Sequence, residues 1–163
     1  MSNWKKVRDE LEPMVRELEK IIEGYDYSEG KAELTDKKVR RKLMSEARKA
    51  KNLILEITEL AYKDRESEIV EGFREIIDEI DVFLNELEIK RVVYKDASEN
   101  LLKKIVNADM LLIKNLQSIN ETIKNVHEDI LAGKTGDVVS KAAYIKKGIK
   151  DLRSILNDRG ENV

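Results

Sequence analysis

Two pairs of acidic residues have a type and spacing that could hold a metal ion. Glu56 and Glu59 form the first pair, and Glu75 and Asp78 form the second after fifteen intervening residues. Carboxylate oxygens are preferred ligands of Mg²⁺, and Mg²⁺ held by one or two carboxylates often also contacts the phosphates of a substrate. The four side chains are therefore candidate ligands for a metal that would act on a phosphorylated molecule.

This ExxE and ExxD pattern resembles the metal-binding motif of all-α nucleotide pyrophosphohydrolases of the MazG type. The resemblance covers 23 residues, from Glu56 to Asp78, and it implies Mg²⁺-dependent hydrolysis of a nucleoside triphosphate. On helices, however, the carboxylates are predicted to point away from the apolar stripes. The second pair would also lie roughly 10 Å beyond the first along the helix axis. The enzyme remains an alternative to a non-enzymatic function.

The densest charge feature of the chain lies between Lys37 and Lys51, where eight of fifteen residues are basic. In a helical projection Lys37, Arg41 and Arg48 lie nearly opposite the apolar stripe and form one outer ridge. Cations near a helix N-terminus oppose the helix dipole, which favours a role in binding phosphate or nucleic acid. Alternatively, the cations only pair with the segment 64–88, which holds ten acidic and two basic residues.

Composition excludes several other kinds of site. The chain of 163 residues has no cysteine, so it has no disulfide, no thiolate metal site and no cysteine nucleophile. His127 is its one histidine, which rules out a histidine-rich metal site within one chain. No catalytic residue, metal ligand or cofactor is therefore assigned, and a non-enzymatic function is predicted first, with the enzyme as its alternative.

Charge and hydropathy give expectations about partners and location. Acidic and basic residues number 33 and 31, and a net charge of −2 gives no overall attraction to nucleic acid or to an anionic membrane. The first residues lack the apolar core that is typical of a signal peptide, and no apolar run in the sequence is long enough to span a bilayer, so we expect a cytoplasmic protein without a membrane partner. Gln117 is its one glutamine, a composition that resembles hyperthermophile proteins.

Five stretches repeat apolar residues at alternating steps of three and four, which predicts five helices with one buried stripe each. In the last stretch the stripe consists of Val138, Ala142, Ile145, Ile149, Leu152 and Leu156. Short connections favour antiparallel neighbours. The predicted fold is all-α, an antiparallel up-and-down bundle of four main helices plus a fifth, in a single domain over residues 1–163.

Local signals predict where these helices begin and break. Pro13 lies inside the first apolar pattern and predicts a kink or a restart there. Thr35 is the predicted N-cap of the second helix. Asp96 and Glu99 have the spacing of a capping box at the start of the fourth, which is predicted over residues 98–131.

Two helices carry apolar residues beyond a single stripe. The second helix has another apolar face at Met44, Leu55 and Tyr62, which we expect another helix to cover; the alternative is an exposed groove for a partner. The fourth helix is apolar on nearly every side from residue 101 to 113, so that segment is either central or part of a subunit interface. Asp109 within it is either buried or at the edge of the stripe.

The function predicted first is a non-enzymatic interaction or scaffold role. The partner is a protein, or a second copy bound through the first helix or the apolar segment 101–113. Trp4, Leu11, Met110 and Leu111 are the candidate contact residues for recognition by a helix face. The alternative is binding of nucleic acid or a phosphate ligand through Lys37, Arg41 and Arg48.

Overall fold

The computed structural model describes residues 2–92 and 97–160, and within these ranges the chain forms six α-helices and no strand. The helices are α1 (Asn3–Glu10), α2 (Glu12–Ile21), α3 (Ala32–Lys63), α4 (Ser67–Ile89), α5 (Glu99–Leu131) and α6 (Val138–Gly160). The predicted all-α helical bundle is confirmed. No helix in the described ranges combines the length and the apolar character needed to cross a membrane.

The four long helices form two antiparallel hairpins that pack side by side. Short turns join α3 to α4 and α5 to α6. Across the hairpins, α3 packs on α5 and α4 packs on α6, whereas α4 and α5 lie on a diagonal with no close backbone approach among the described residues. Glu46 contacts Asn120 and Glu56 contacts His127, so α3 and α5 run in the same direction.

The apolar stripes meet in one continuous core. All six predicted stripe residues of α6 are buried, and the aromatic rings of Phe73 and Phe83 on α4 are fully buried. Burying one such side chain contributes about 1.5–3 kcal/mol. The periodicity of the sequence therefore identifies the buried face of each long helix correctly.

The predicted interruption at Pro13 is confirmed. α1 ends at Glu10 and α2 begins at Glu12, with Leu11 between them outside both helices. Pro13 lies in the first turn of α2, where its missing N–H removes no hydrogen bond within the helix. The first predicted helix is thus two short helices, separated at Leu11.

These two short helices pack on α5 and not on α3. The Lys103 ammonium lies 2.6 Å from the Glu10 carboxylate, and the Asn3 amide donates to the Ala97 carbonyl at 3.0 Å. The short helices α1 and α2 therefore cover part of the apolar segment 101–113, in which Leu111 stays exposed. The expectation that another helix covers the second apolar face of α3 is wrong, because Leu55 and Tyr62 remain 46% and 70% exposed.

Two predicted caps differ from the structure. α3 begins at Ala32, and Thr35 is buried inside its first turn, where its hydroxyl exchanges hydrogen bonds with the backbone of Asp26. Ser98 is the N-cap of α5 and accepts a hydrogen bond from the Leu101 N–H. The predicted cap Asp96 lies outside the described residues.

Candidate functional site

Four charged side chains are buried together at the end of the bundle where α3 and α5 begin and α4 and α6 end. They are Asp36, Arg40, Asp109 and Arg159. Arg159 Nε donates to Asp109 Oδ1 at 2.6 Å, Arg159 Nη2 lies 2.7 Å from Asp36 Oδ1, and Arg40 Nε donates to Asp36 Oδ2 at 3.0 Å. Two anions and two cations alternate, so each buried charge faces an opposite one. We call this set the buried charge network.

The network also reaches the fourth long helix. Arg40 Nη1 donates to the backbone carbonyls of Leu87 and Glu88, at 2.8 and 3.2 Å. These carbonyls belong to the last turn of α4, where the helix dipole is negative and a cation is favourable. One connected set of polar contacts thereby joins α3, α4, α5 and α6.

Two tyrosines of the segment between α2 and α3 complete the network. The hydroxyl of Tyr25 donates to Asp109 Oδ2 at 2.8 Å, and the hydroxyl of Tyr27 donates to the same oxygen. The two rings pack edge to face, with centroids 5.1 Å apart, and Trp4 packs edge to face on both. Trp4 is therefore a core residue of this chain, with 5% of its surface exposed.

Burial governs the ionisation of this cluster. Burial raises the pKa of the Asp109 carboxyl, while the charge of Arg159 and the hydrogen bonds from the tyrosines act in the opposite direction. Burial, followed by the negative charge of Asp109, raises the pKa of Tyr25 well above its usual value. Because Asp109 is 0% exposed, the network joins helices and offers no group to a dissolved substrate.

The sequence signals for this network are only partly recognisable. Asp109 was predicted as either buried or peripheral, and it is buried. Arg159 was missed, although the alternating steps of the α6 stripe continue from Leu152 and Leu156 to position 159. A charged residue at a stripe position is thus the signal that identifies members of the network.

The structure directs the predicted metal-binding carboxylates toward different neighbours. Glu56 contacts His127 on α5 at 3.3 Å, whereas Glu75 contacts Lys146 on α6 at 2.9 Å. Glu59 contacts Lys63 at 3.5 Å on its own helix, and Asp78 is exposed on α4. In the described part of the chain no three histidine, cysteine or acidic residues are grouped to hold a metal ion.

Some cations of the basic run of α3 form hydrogen bonds or ion pairs with described residues, and others form no ion pair with them. Lys38 donates to the Glu23 carbonyl, Lys42 and Lys49 contact Glu46, and Lys51 contacts Asp81. Lys51 is the one residue of the run that pairs with an acidic side chain of α4 within the described ranges. The acidic residues Glu75, Glu79 and Glu86 instead pair with Lys146 and Arg153 of α6.

Lys37, Arg41 and Arg48 are exposed and form no ion pair with any residue in ranges 2–92 and 97–160. At 100° per residue, Leu55 and Tyr62 follow them within about 60° of helix surface. We call these five residues the outer α3 face. It extends over about 37 Å along the helix, at about 1.5 Å per residue, and no described helix covers it.

The other predicted contact residues do not form a surface together. Leu11 and Met110 are partly buried against the core. Leu111, about 100° further around α5, is 50% exposed. Leu111 is thus the one exposed residue of the four predicted contact residues, and α3 carries Leu34, Leu55 and Tyr62 among the exposed large apolar residues of the described chain.

An open cleft of about 490 Å³ lies between α1, the segment after α2 and the start of α3. Its charged lining has both signs, with Arg8, Lys31 and Lys38 beside Glu19 and Asp26. The Lys31 ammonium lies 3.7 Å from the Asp26 carboxylate. The cleft therefore has no dominant charge that would select a ligand.

Comparisons of this chain with protein-family models, with curated proteins and with solved structures give no match.

Proposed function

We propose that the chain is a non-enzymatic, protein-binding helical bundle that recognises its partner through the outer α3 face. The observation that carries this proposal is the exposure of Leu55 and Tyr62 in line with three cations that form no ion pair with any described residue. Tyrosine and arginine are enriched among the residues that contribute most to binding between proteins. Recognition of a partner by one face of a helix uses side chains at this spacing.

The physical basis of recognition differs between the two ends of the face. Leu55 and Tyr62 would contribute by losing their contact with water, since apolar burial is worth about 25 cal/mol per Å². Lys37, Arg41 and Arg48 would attract an acidic surface and orient it before contact. The partner surface that fits therefore combines negative charge at one end with apolar side chains at the other.

The test is affinity capture with the immobilised protein, comparing wild type, Leu55→Glu/Tyr62→Glu and the matched control Leu111→Glu/Tyr144→Glu. Leu111 and Tyr144 are 50% and 60% exposed, so the control introduces the same chemistry at similar exposure on α5 and α6. We expect a bound protein that the wild type and the control retain and the α3 variant loses. Retention by all three would contradict the proposal, and circular dichroism verifies that each variant is folded.

A second candidate function rests on the three unengaged cations alone. A phosphate-bearing ligand such as a nucleic acid would contact Lys37, Arg41 and Arg48, and its affinity would fall as salt rises. Fluorescence anisotropy with labelled single-stranded and double-stranded oligonucleotides at low salt tests this. Binding that is lost in Lys37→Ala/Arg41→Ala/Arg48→Ala supports the candidate, and no binding by the wild type rules it out.

A further inference from the structure

We infer that the outer α3 face docks on the same face of a second copy of this chain, with the two α3 helices antiparallel about a twofold axis near residue 50. This inference rests on the proposed function, because it names the occupant of the surface proposed there. A twofold interface uses one self-complementary surface, so each contact between unlike residues occurs twice.

The outer α3 face is self-complementary in this arrangement once Met44 and Glu59, which lie within about 40° of Arg48 on the same side of the helix, are considered with it. Because the twofold axis passes near residue 50, a residue n positions before residue 50 on one α3 helix faces the residue about n positions after residue 50 on the other. Arg41 then faces Glu59 of the second copy, and Met44 faces Leu55 to within one residue. Lys37 faces Tyr62 of the second copy, the geometry of a cation over an aromatic ring. Glu59 is exposed, and among the described residues its Oε1 atom contacts Lys63.

The lateral positions on the helix agree with this pairing. Relative to Arg48, the residues Lys37, Met44, Leu55 and Tyr62 lie about 20° to 40° to one side at 100° per residue. Arg41 and Glu59 lie about 20° to the other side. A twofold axis between antiparallel helices places each lateral edge of one helix opposite the same edge of the other helix. The apolar edge therefore meets an apolar edge, and the charged edge meets a charged edge.

Arg48 lies closest to the axis, where it approaches Arg48 of the second copy. α4 offers a carboxylate at this level. The contact of 2.7 Å between Lys51 Nζ and Asp81 Oδ1 aligns the two helices, which places Asp78 level with residue 54 of α3. That level is about 3 Å along the axis from Arg48 of the second copy, at about 1.5 Å per residue. Asp78 is exposed and forms no ion pair with a described residue.

A second copy fits this face better than a uniformly acidic partner does. An acidic surface would match Lys37, Arg41 and Arg48 but would place a like charge opposite Glu59. The same face on a second copy supplies a carboxylate opposite Arg41, a ring opposite Lys37 and an apolar residue opposite Leu55. The charge pattern therefore favours self-association.

Sedimentation equilibrium over a range of concentrations tests the occupant. The wild type should approach twice the chain mass of 18.9 kDa as concentration rises. Leu55→Glu/Tyr62→Glu should remain at the mass of one chain, and the control Leu111→Glu/Tyr144→Glu should behave as the wild type. A wild type that stays monomeric up to millimolar concentration overturns the inference, as does a dimer that Leu55→Glu/Tyr62→Glu leaves intact.

Charge reversal tests the antiparallel pairing. Arg41→Glu and Glu59→Arg should each raise the dimer Kd by about tenfold, because each places like charges opposite one another twice. An equimolar mixture of the two variants should associate about as tightly as the wild type, since both facing pairs again carry opposite charges. A mixture no tighter than the separate variants overturns the pairing.

The two proposals fail in different ways. A monomeric wild type that still captures a protein, and loses it in Leu55→Glu/Tyr62→Glu, overturns self-association and leaves the proposed function intact. A wild-type dimer that the same substitutions dissociate supports both proposals.

Discussion

Asp109 has no contact with solvent, so its charge can be balanced only by the groups that surround it. Arg159 and the hydroxyls of Tyr25 and Tyr27 provide that balance. A buried ion pair often adds little net stability compared with apolar residues of the same volume, because both ions lose their hydration. Removing one partner is costly, however, since the remaining ion is then buried without compensation.

Asp109→Asn should therefore destabilise the protein by about 3–5 kcal/mol, because it keeps the volume of the side chain and leaves the buried Arg40 and Arg159 with Asp36 as their one buried carboxylate in the network. Urea unfolding at pH 7, followed by circular dichroism, measures the change. Asp151→Asn is the matched control at an exposed position on α6 and should change the free energy of unfolding by no more than about 0.5 kcal/mol. A loss below about 1 kcal/mol for Asp109→Asn would show that the charge of Asp109 contributes little to the free energy of unfolding.

The raised pKa of Tyr25 predicts a loss of stability in alkali. Tyrosines of the unfolded chain ionise from about pH 10, whereas Tyr25 keeps its proton in the folded protein, so the unfolded state binds fewer protons there. The free energy of unfolding contributed by Tyr25 is thus complete below pH 10 and falls as the pH rises further. The advantage of the wild type over Tyr25→Phe should shrink between pH 9 and pH 11, as measured by urea unfolding.

Tyr144→Phe, at an exposed position on α6, is the matched control for this experiment. A difference between wild type and Tyr25→Phe that stays constant between pH 9 and pH 11 would contradict the assignment of Tyr25 as a protonated donor to Asp109.

Among the helices, two glycines in helix interiors differ in the space around them. A methyl group at Gly72 on α4 would lie 3.6 Å from Ala142, an ordinary contact. A methyl group at Gly148 on α6 would lie 2.9 Å from Ile119 Cδ1 and 3.1 Å from its Cγ1. Gly148 therefore permits the close approach of α6 to α5, whereas Gly72 serves no comparable purpose.

Gly72→Ala should stabilise the protein by about 0.5–1 kcal/mol, the usual gain from alanine over glycine in a helix. Gly148→Ala should lose that gain to the clash, and Gly148→Ala/Ile119→Val should recover part of it relative to Ile119→Val alone. Thermal unfolding of the four variants measures these differences. Equal stabilisation by Gly72→Ala and Gly148→Ala would contradict the close packing of α5 and α6.

The sequence predicts the helices more reliably than it predicts their ends. Stripe periodicity locates α3 to α6 because many apolar residues contribute to each pattern. The start of α3 depends on few contacts, among them the hydrogen bond from the Ala32 N–H to the Ser28 carbonyl. Thr35 has the type of an N-cap, but its hydroxyl engages the backbone of Asp26 instead. Residue type alone does not distinguish these two uses.

At the scale of the whole molecule, a stripe identifies which face is buried but not which helix covers it. The sequence therefore predicts a bundle without predicting that α4 and α5 lie on a diagonal. The same ambiguity explains why the sequence wrongly predicts another helix over the second apolar face of α3. The segment 101–113 is apolar on nearly every side and has more apolar surface to bury than the second face of α3, so α1 and α2 pack there. Because α1 and α2 pack on α5, the outer α3 face is left uncovered by any described helix.

We propose that the chain unfolds as one domain, and Trp4 offers a direct test. It is the one tryptophan of the chain, and it packs on Tyr25 and Tyr27 at the network. Its fluorescence should therefore be that of a buried indole and should change at the same urea concentration as the helical circular dichroism signal. A fluorescence transition at lower urea would instead mean that α1 and its contacts detach before the four long helices unfold.

The position of the buried charges also bears on which of several similar packings the chain adopts. Sliding one helix past its neighbours by seven residues would again bring apolar side chains together, but it would leave the Arg159 guanidinium buried among apolar groups without a carboxylate beside it. Replacing Asp36, Arg40, Asp109 and Arg159 by apolar residues of similar size should remove this penalty and allow several slipped bundles to coexist. Extra amide resonances in the NMR spectrum of that variant would reveal them, and a single set would show that side-chain shape alone selects the native alignment.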